Sequence, residues 1–296
     1  MRERALSESS AAPRRDKPVD AAISMVLAAL SFALLSLTVK LAARSLNEQM
    51  VVFFRCAMSL LFIVPWLFAM RAGVRSLRTR NLKEHLVRAA AGMAAMYCFF
   101  FAIIRLGLAE ALVLNYALPL FIPMVERIWL GQRVPKGIWW PVSLGLLGLI
   151  LIVKPGTAIF QPAAAVGALA AVLAAIAQVG VRGLTQKESV SNIVFYFALF
   201  STLISALPAV SSWVAPPIEL WPTLLAMGLC ATVAQLLMTR AYRGAPAAKV
   251  GPFIYTSVAF GAGIDWFVFE KVPDVPAAIG TLLIAVAATV ALRLEA

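Results

Sequence analysis

Ten apolar stretches follow one another between residues 21 and 293, each about long enough to cross a hydrocarbon layer. They run over 21–43, 49–70, 86–105, 108–130, 138–154, 163–182, 190–209, 222–241, 249–269 and 275–293. A bilayer core about 30 Å thick takes about 20 apolar residues per helix. Hydrophobic residues make up 62% of the chain and charged residues 14%, with a mean hydropathy of +0.89. An average soluble domain has roughly half and a quarter. The alternating pattern of a membrane barrel is absent. The expected fold class is an all-α integral membrane protein of ten transmembrane helices, with the lipid bilayer as its first partner.

The formal net charge of +12 raises the question of a nucleic-acid partner, and the distribution answers it. Threading ten spans through a membrane puts 20 of the 26 Lys and Arg on one side, in the tail, the 71–88 loop and the 127–136, 182–187, 240–249 and 293 positions. Five fall on the other side: Lys40, Arg44, Arg105, Lys154 and Lys271. Cytoplasmic loops carry the Lys/Arg excess. The bias therefore reads as topology, with both termini cytoplasmic in a bacterial inner membrane, and no nucleic-acid partner is expected. Residues 1–20 are polar and charged and are expected to be a disordered tail rather than a cleaved signal peptide. Cys56, Cys98 and Cys230 sit inside apolar stretches at no metal-ligand spacing. No metal or other cofactor is expected.

The chain is written twice. "VLAALSF" at 26–32 returns as "VLAAIAQ" at 172–178, a proline near the end of the second span (Pro65) returns at Pro208, "GQRVP" at 131–135 meets "FEKVP" at 269–273, and Arg105 meets Arg243. Ordered matches of this kind indicate duplication. The expected units are 21–156 and 163–293, five spans each. Because five is odd, the second copy enters the membrane from the opposite side. This is the inverted-repeat plan of secondary transporters, with a substrate site near the midplane between repeats. Pro119 and Pro123 in the fourth span and Pro252 in the ninth each remove a backbone donor. A membrane tolerates such breaks only where protein or water satisfies the freed groups.

The segment "RLGLAEALVLNYALPLFIPMVERIWLGQRVPKGIWWPVSLGLLGLILIVKPG" (105–156), with "FFRCAMS" in the second span and "RAYRGAPAAKVGPFIYTSVAFGAGIDWFVFEKV" (240–272), resembles EamA-type transporters of the drug/metabolite transporter superfamily. The resemblance spans about residues 21–293 and implies ten helices in two inverted repeats and a small-molecule substrate. The family is similar to exporters of amino acids and drugs and to carriers of riboflavin, S-adenosylmethionine and opine-type metallophores. One departure is that the Gly-Glu usual after the fourth span is Gly131-Gln132 here, with Glu270 in the second copy.

Ionisable groups at bilayer depth are costly and are functional candidates by default. Arg55 interrupts "VVFFRCAMSLLFIVPWLF" (51–68) about 9 Å inside its span. It either snorkels, pairs with a buried acid, or meets a cargo carboxylate. Its counterpart in the second copy is Ala198. Lys40, Glu126 and Asp265 are candidate gating or coupling residues; Glu126 and Asp265 fall at matching places near opposite faces, which carries proton coupling as one reading. Tyr97, Asn115, Tyr116, Gln178, Gln235 and Tyr255 are candidate lining residues, each also explained as glue between helices. Such a lining suits a small zwitterion with apolar surface. A homodimer is a further partner reading.

A membrane enzyme is the first rival, but the single histidine, His85, leaves no His-based metal or triad chemistry, and no loop is long enough to shape an active site. A channel would favour rings of charge, and none is visible. The expected function is secondary transport by alternating access, exporting an amino acid or an opine-type metallophore; uptake of riboflavin, S-adenosylmethionine or a similar solute is the alternative. Reporter fusions after residues 78, 134, 186 and 245 should report cytoplasm, and those after 46, 158, 215 and 272 periplasm. A cytoplasmic signal at 158 would break the inverted duplication.

Overall fold

The computed structural model describes residues 18–69, 77–134, 137–270 and 272–294. They form α1 (Pro18–Ala42), α2 (Glu48–Ala69), α3 (Leu82–Leu106), α4 (Leu108–Asn115), α5 (Leu118–Leu130), α6 (Trp139–Val153), α7 (Ala164–Thr185), α8 (Val190–Ser211), α9 (Trp221–Gly244), α10 (Ala247–Val250), α11 (Thr256–Phe269) and α12 (Val275–Arg293). Of the expected tail, residues 1–17 lie outside the described residues, and Pro18–Asp20 form the first turn of α1.

Two spans are broken, and both breaks carry the expected prolines. The fourth span divides into α4 and α5 at Tyr116 and Ala117, one residue before the Leu118–Pro119 start of α5. Pro123 continues α5 without a break. The ninth divides into α10, a 3₁₀ turn over Gly251–Tyr255 containing Pro252, and α11. Counting each broken span once gives ten crossings. Among the described residues nine are long and apolar enough to span; the fifth, α6, has only 15 residues. Lys154 ends α6 in the left-handed region (φ 52°), and the following Pro155 disfavours a helical conformation there.

The molecule is apolar on its outside. Ile128, Leu207 and Phe267 are each more than 80% exposed, which only a hydrocarbon solvent makes reasonable. Inside, alanines dominate where helices touch, letting backbones approach without a hydrophobic driving force. Where α6 crosses α12, a Cβ on Gly148 would sit 2.6 Å from the Gly280 carbonyl.

The most extensive contacts join α1 to α9, α3 to α7, α6 to α12 and α2 to α8, followed by α2 with α9, α1 with α11, α5 with α7 and α3 with α8. Exchanging the first five spans with the last five turns this set into itself: α1–α9 becomes α7–α3, and α1–α11 becomes α7–α5. The fold is two five-helix repeats of inverted topology whose main packing lies between repeats rather than within them. We call the end at which α1 begins the tail end and the other the far end.

The helix ends also refine the correspondence between copies. Aligned by sequence, Glu270 stands opposite Gln132. By backbone, Glu270 is the left-handed cap of α11 (φ 56°) and matches Gly131, the left-handed cap of α5 (φ 64°). A left-handed residue with a Cβ costs roughly 1–2 kcal/mol. A Cβ on Gly131 would meet nothing within 4 Å, so the backbone alone decides. Gly131→Ala should lower stability by about 1 kcal/mol and Glu270→Gly raise it by about as much. Thermal midpoints in detergent that do not move in either variant would contradict this account.

Candidate functional site: a cavity between the repeats

A cavity of about 270 Å³ lies at the centre, with walls from α1, α2, α3 and α4 of the first repeat and α7, α8 and α9 of the second. That is close to the lower end of ligand pockets, roughly 300–1,000 Å³. Most of its surface is apolar, including Phe32, Met93, Met96, Phe99 and Met238, with a few polar groups set among them.

Arg55 lines the cavity and does not reach an acid: its Nη1 donates to Met96 Sδ at 2.8 Å. A thioether is a weak acceptor for a guanidinium. Its counterpart Ala198 lines the same cavity. Asn115, the last residue of α4 before the break, is also in the wall. Gln178 lines it and accepts a hydrogen bond from the Tyr242 hydroxyl. Gln235 lines it and accepts from Arg88 Nη2 at 2.9 Å.

Three expected lining residues are not in the wall. Tyr97 packs beside Val52, Cys56 and Met93 with its hydroxyl buried and unbonded. Tyr116 is hydrogen-bonded to the Ser257 hydroxyl at 2.9 Å, joining the break of the fourth span to the start of α11. Tyr255 is fully buried against Leu149, Val113 and Ile284. Periodicity places these residues mid-helix but does not say which way each ring turns.

Arg88 is the residue sequence reasoning missed. Reading the third span from residue 86 left Arg88 among the loop charges. The helix starts at Leu82, so Arg88 lies well inside it, 2% exposed, in the cavity wall. Its guanidinium carbon sits 3.9 Å from the Phe197 ring centroid. The signal was available: Arg88, Gly92, Ala95, Met96 and Phe99 recur at helical spacing on the cavity face.

The candidate gating residues divide between the ends. Lys40 and Asp265, from different repeats, pair at the far end at 3.2 Å, with the Lys40 amine 3.9 Å from the Phe269 ring. Both side chains are about half exposed, 49% and 46%, so this pair is weak by itself. Glu126 is buried at the tail end and accepts the backbone N–H groups of Ala247 and Ala248 at 2.7 and 2.6 Å. It satisfies donors at the start of α10 that the membrane would otherwise leave bare. Glu126 and Asp265 each stand four residues before the end of their helix, at Leu130 and Phe269. Nearby at the tail end, Arg182 donates to the Tyr242 and Arg243 carbonyls.

The tail end is also tied by its loops. Glu188 accepts hydrogen bonds from Thr79, Asn81 and Asn192, and Lys187 reaches Glu84 at 2.6 Å. Burial pushes the Glu188 carboxyl up, but those hydrogen bonds pull it down further, leaving it below the usual carboxylate value.

Glu126→Gln tests the cap. The amide retains one acceptor oxygen but turns its NH₂ toward a backbone donor. A loss of about 1–3 kcal/mol is expected, read as a lowered thermal midpoint in detergent. Unchanged stability would show that Glu126 has no structural part at this end.

Comparison with known proteins agrees with this geometry. The model of the EamA-like transporter family matches residues 20–154 and again 161–293. The pseudopaline exporter CntI of Pseudomonas aeruginosa (strain UCBPP-PA14) is 34% identical, covering 88% of this chain and 92% of that protein. A riboflavin transporter of Rhizobium johnstonii is 28% identical, covering 98% and 96%. An S-adenosylmethionine uptake transporter of Rickettsia bellii is 23% identical, covering 81% of each. One solved crystal structure, 18% identical, superposes with a TM-score of 0.78 over 92% of this chain and 94% of that one, which speaks to fold alone. On the family match over both repeats, this multi-pass membrane chain belongs to the EamA-like transporter family.

Proposed function

We propose that this transporter exports an amino-acid-derived small metabolite, an amino acid or an opine-type metallophore, across a bacterial inner membrane by alternating access. The carrying observation is the cavity between the repeats, in which a guanidinium, Arg55, has only a thioether for a hydrogen-bond partner among the described residues. A carboxylate is the natural group to complete it, because the two-pronged guanidinium matches two carboxylate oxygens. The likeness to a protein named as a pseudopaline exporter supports the same direction and cargo class.

The competing cargoes fit less well. S-adenosylmethionine has a carboxylate that matches Arg55, but its ammonium and sulfonium make it a net cation, which a lining with two guanidiniums and no Asp or Glu disfavours. Riboflavin, a neutral solute, has no group that needs a guanidinium. The family match over both repeats favours transport over enzyme chemistry.

In this reading the tail end faces the cytoplasm, where the Lys/Arg excess belongs. Lys40–Asp265, with Lys154–Asp274 and the Asn47–Ser212 hydrogen bond, closes the far end, and Glu126, with the Glu188 loop ties, the tail end. Alternating access then needs one set to part while the other holds. Glu126 and Asp265 are the carboxylates through which a proton could be coupled to that exchange.

Deletion of the gene should raise the intracellular level of one carboxylate-bearing metabolite and lower its extracellular level, measured by comparative metabolomics of cells and medium. Growth failure on a limiting external vitamin, with no change in any exported metabolite, would overturn export in favour of uptake.

A further inference from the structure

The cavity holds two guanidiniums, and they enter it from opposite ends. Arg55 is the eighth residue of α2, which starts at the far end; Arg88 is the seventh of α3, which starts at the tail end. At 1.5 Å per residue each lies about 10 Å along its own helix. Arg55 touches α3 at Met96, eight residues beyond Arg88 and about 12 Å further along the same helix. The positive charge is thus presented at two depths rather than as one patch.

Neither charge is answered by the protein. No acidic residue lines the cavity, and among the described residues neither arginine is in an ion pair. Arg88 is the more deprived. Nη2 has the Gln235 amide oxygen and the guanidinium face has the Phe197 ring, but Nε and Nη1 are buried without any hydrogen-bond acceptor. A buried charge without an anionic partner is expensive to maintain for packing alone. An arginine kept for packing would be expected to have its donors filled.

We propose that the cargo is recognised through two carboxylates, one on Arg55 and a second on Arg88. This rests on the export reading above and narrows its cargo. A metabolite with one ammonium and two or more carboxylates satisfies both guanidiniums, whereas a simple amino acid with one carboxylate leaves one of them bare. The cavity therefore rejects the abundant neutral amino acids by leaving a buried charge unpaired, the kind of discrimination that buried polar groups make strongest. The ammonium has the Asn115 amide oxygen and the Phe99 ring within the same wall. No protein carboxylate is there to capture it, so recognition falls on the anionic groups.

The test uses the full chain purified in detergent and straight-chain α,ω-dicarboxylates of four to eight carbons, each beside its monomethyl ester, with affinity measured by calorimetry. At the best chain length the diacid should bind at least tenfold more tightly than its ester. Arg55→Gln and Arg88→Gln should each erase that ratio by lowering diacid affinity at least tenfold. Equal binding of diacid and ester by the unaltered protein, no diacid binding at any length, or equally tight binding of inorganic phosphate would overturn the proposal. A ratio that survives Arg88→Gln would assign Arg88 to structure and overturn it too. If Arg88→Gln does not yield a monodisperse protein, the ratio in the unaltered protein and in Arg55→Gln still decides. Failure here with altered metabolite pools in the deletion strain would leave export standing; unchanged pools would remove export whatever the calorimeter reads.

Discussion

Everything in this fold follows from the ban on bare backbone polar groups in hydrocarbon. Eight of the ten spans obey it simply, by remaining helical throughout. The fourth and ninth do not, and the bundle is arranged around them. The break at Tyr116–Ala117 and the 3₁₀ turn at Gly251–Tyr255 are placed inside, joined by Tyr116 and Ser257, with Gly251–Tyr255 wholly buried. Glu126 reaches across to cap the Ala247 and Ala248 amides at the mouth of the other broken span. Each repeat's irregular backbone is thus covered by the other repeat, so neither five-helix unit is complete alone. That mutual covering explains why the main packing runs between repeats.

Small residues make the covering compact. Where α6 crosses α12 the chains meet at Gly148 and Gly280, and the α7 and α9 cores are rich in alanine. Such surfaces approach closely but interlock little. The ties that hold the two ends are polar: at the far end the exposed Lys40–Asp265 and Lys154–Asp274 pairs and the Asn47 amide donating to the Ser212 carbonyl, at the tail end Glu126 and the Glu188 loop network. On the proposed alternating-access reading, these polar ties are the latches that part in turn at the two ends.

The spans and their duplication were legible in sequence because both are written in hydrophobicity, which the bilayer reads directly. The proline breaks at Pro119 and Pro252 were legible because a missing donor has one consequence in lipid. Pro123 had none, since its ring fits an uninterrupted α5. What stayed hidden was direction. Tyr97, Tyr116 and Tyr255 occupy the expected depth yet turn into packing, because a helix position near a cavity still has several rotamer and facing choices that only its neighbours decide. Arg88 was hidden for another reason. A basic residue near the end of an apolar stretch counts equally as a topology signal and as a span interior. Only the four extra residues at the start of α3, in a tail-end turn where Lys187 pairs with Glu84, move it from one to the other.

The two-fold exchange governs the shell of the molecule and stops at the cavity. Arg55 and its counterpart Ala198 both line the wall, one charged and one apolar, and Gln235 lines it while Tyr97 packs outside it. Symmetry is useful to a carrier that must present the same site to two sides; an asymmetric ligand needs an asymmetric lining. The choice of partners for the two arginines matters for the same reason. A guanidinium held by a protein carboxylate would trade one ion pair for another when cargo arrived, with little gained. A thioether, an amide oxygen and an aromatic face are soft partners that hold the side chains in place and yield readily. On the proposed reading, the cavity's lack of acids is what leaves binding free energy available to the cargo.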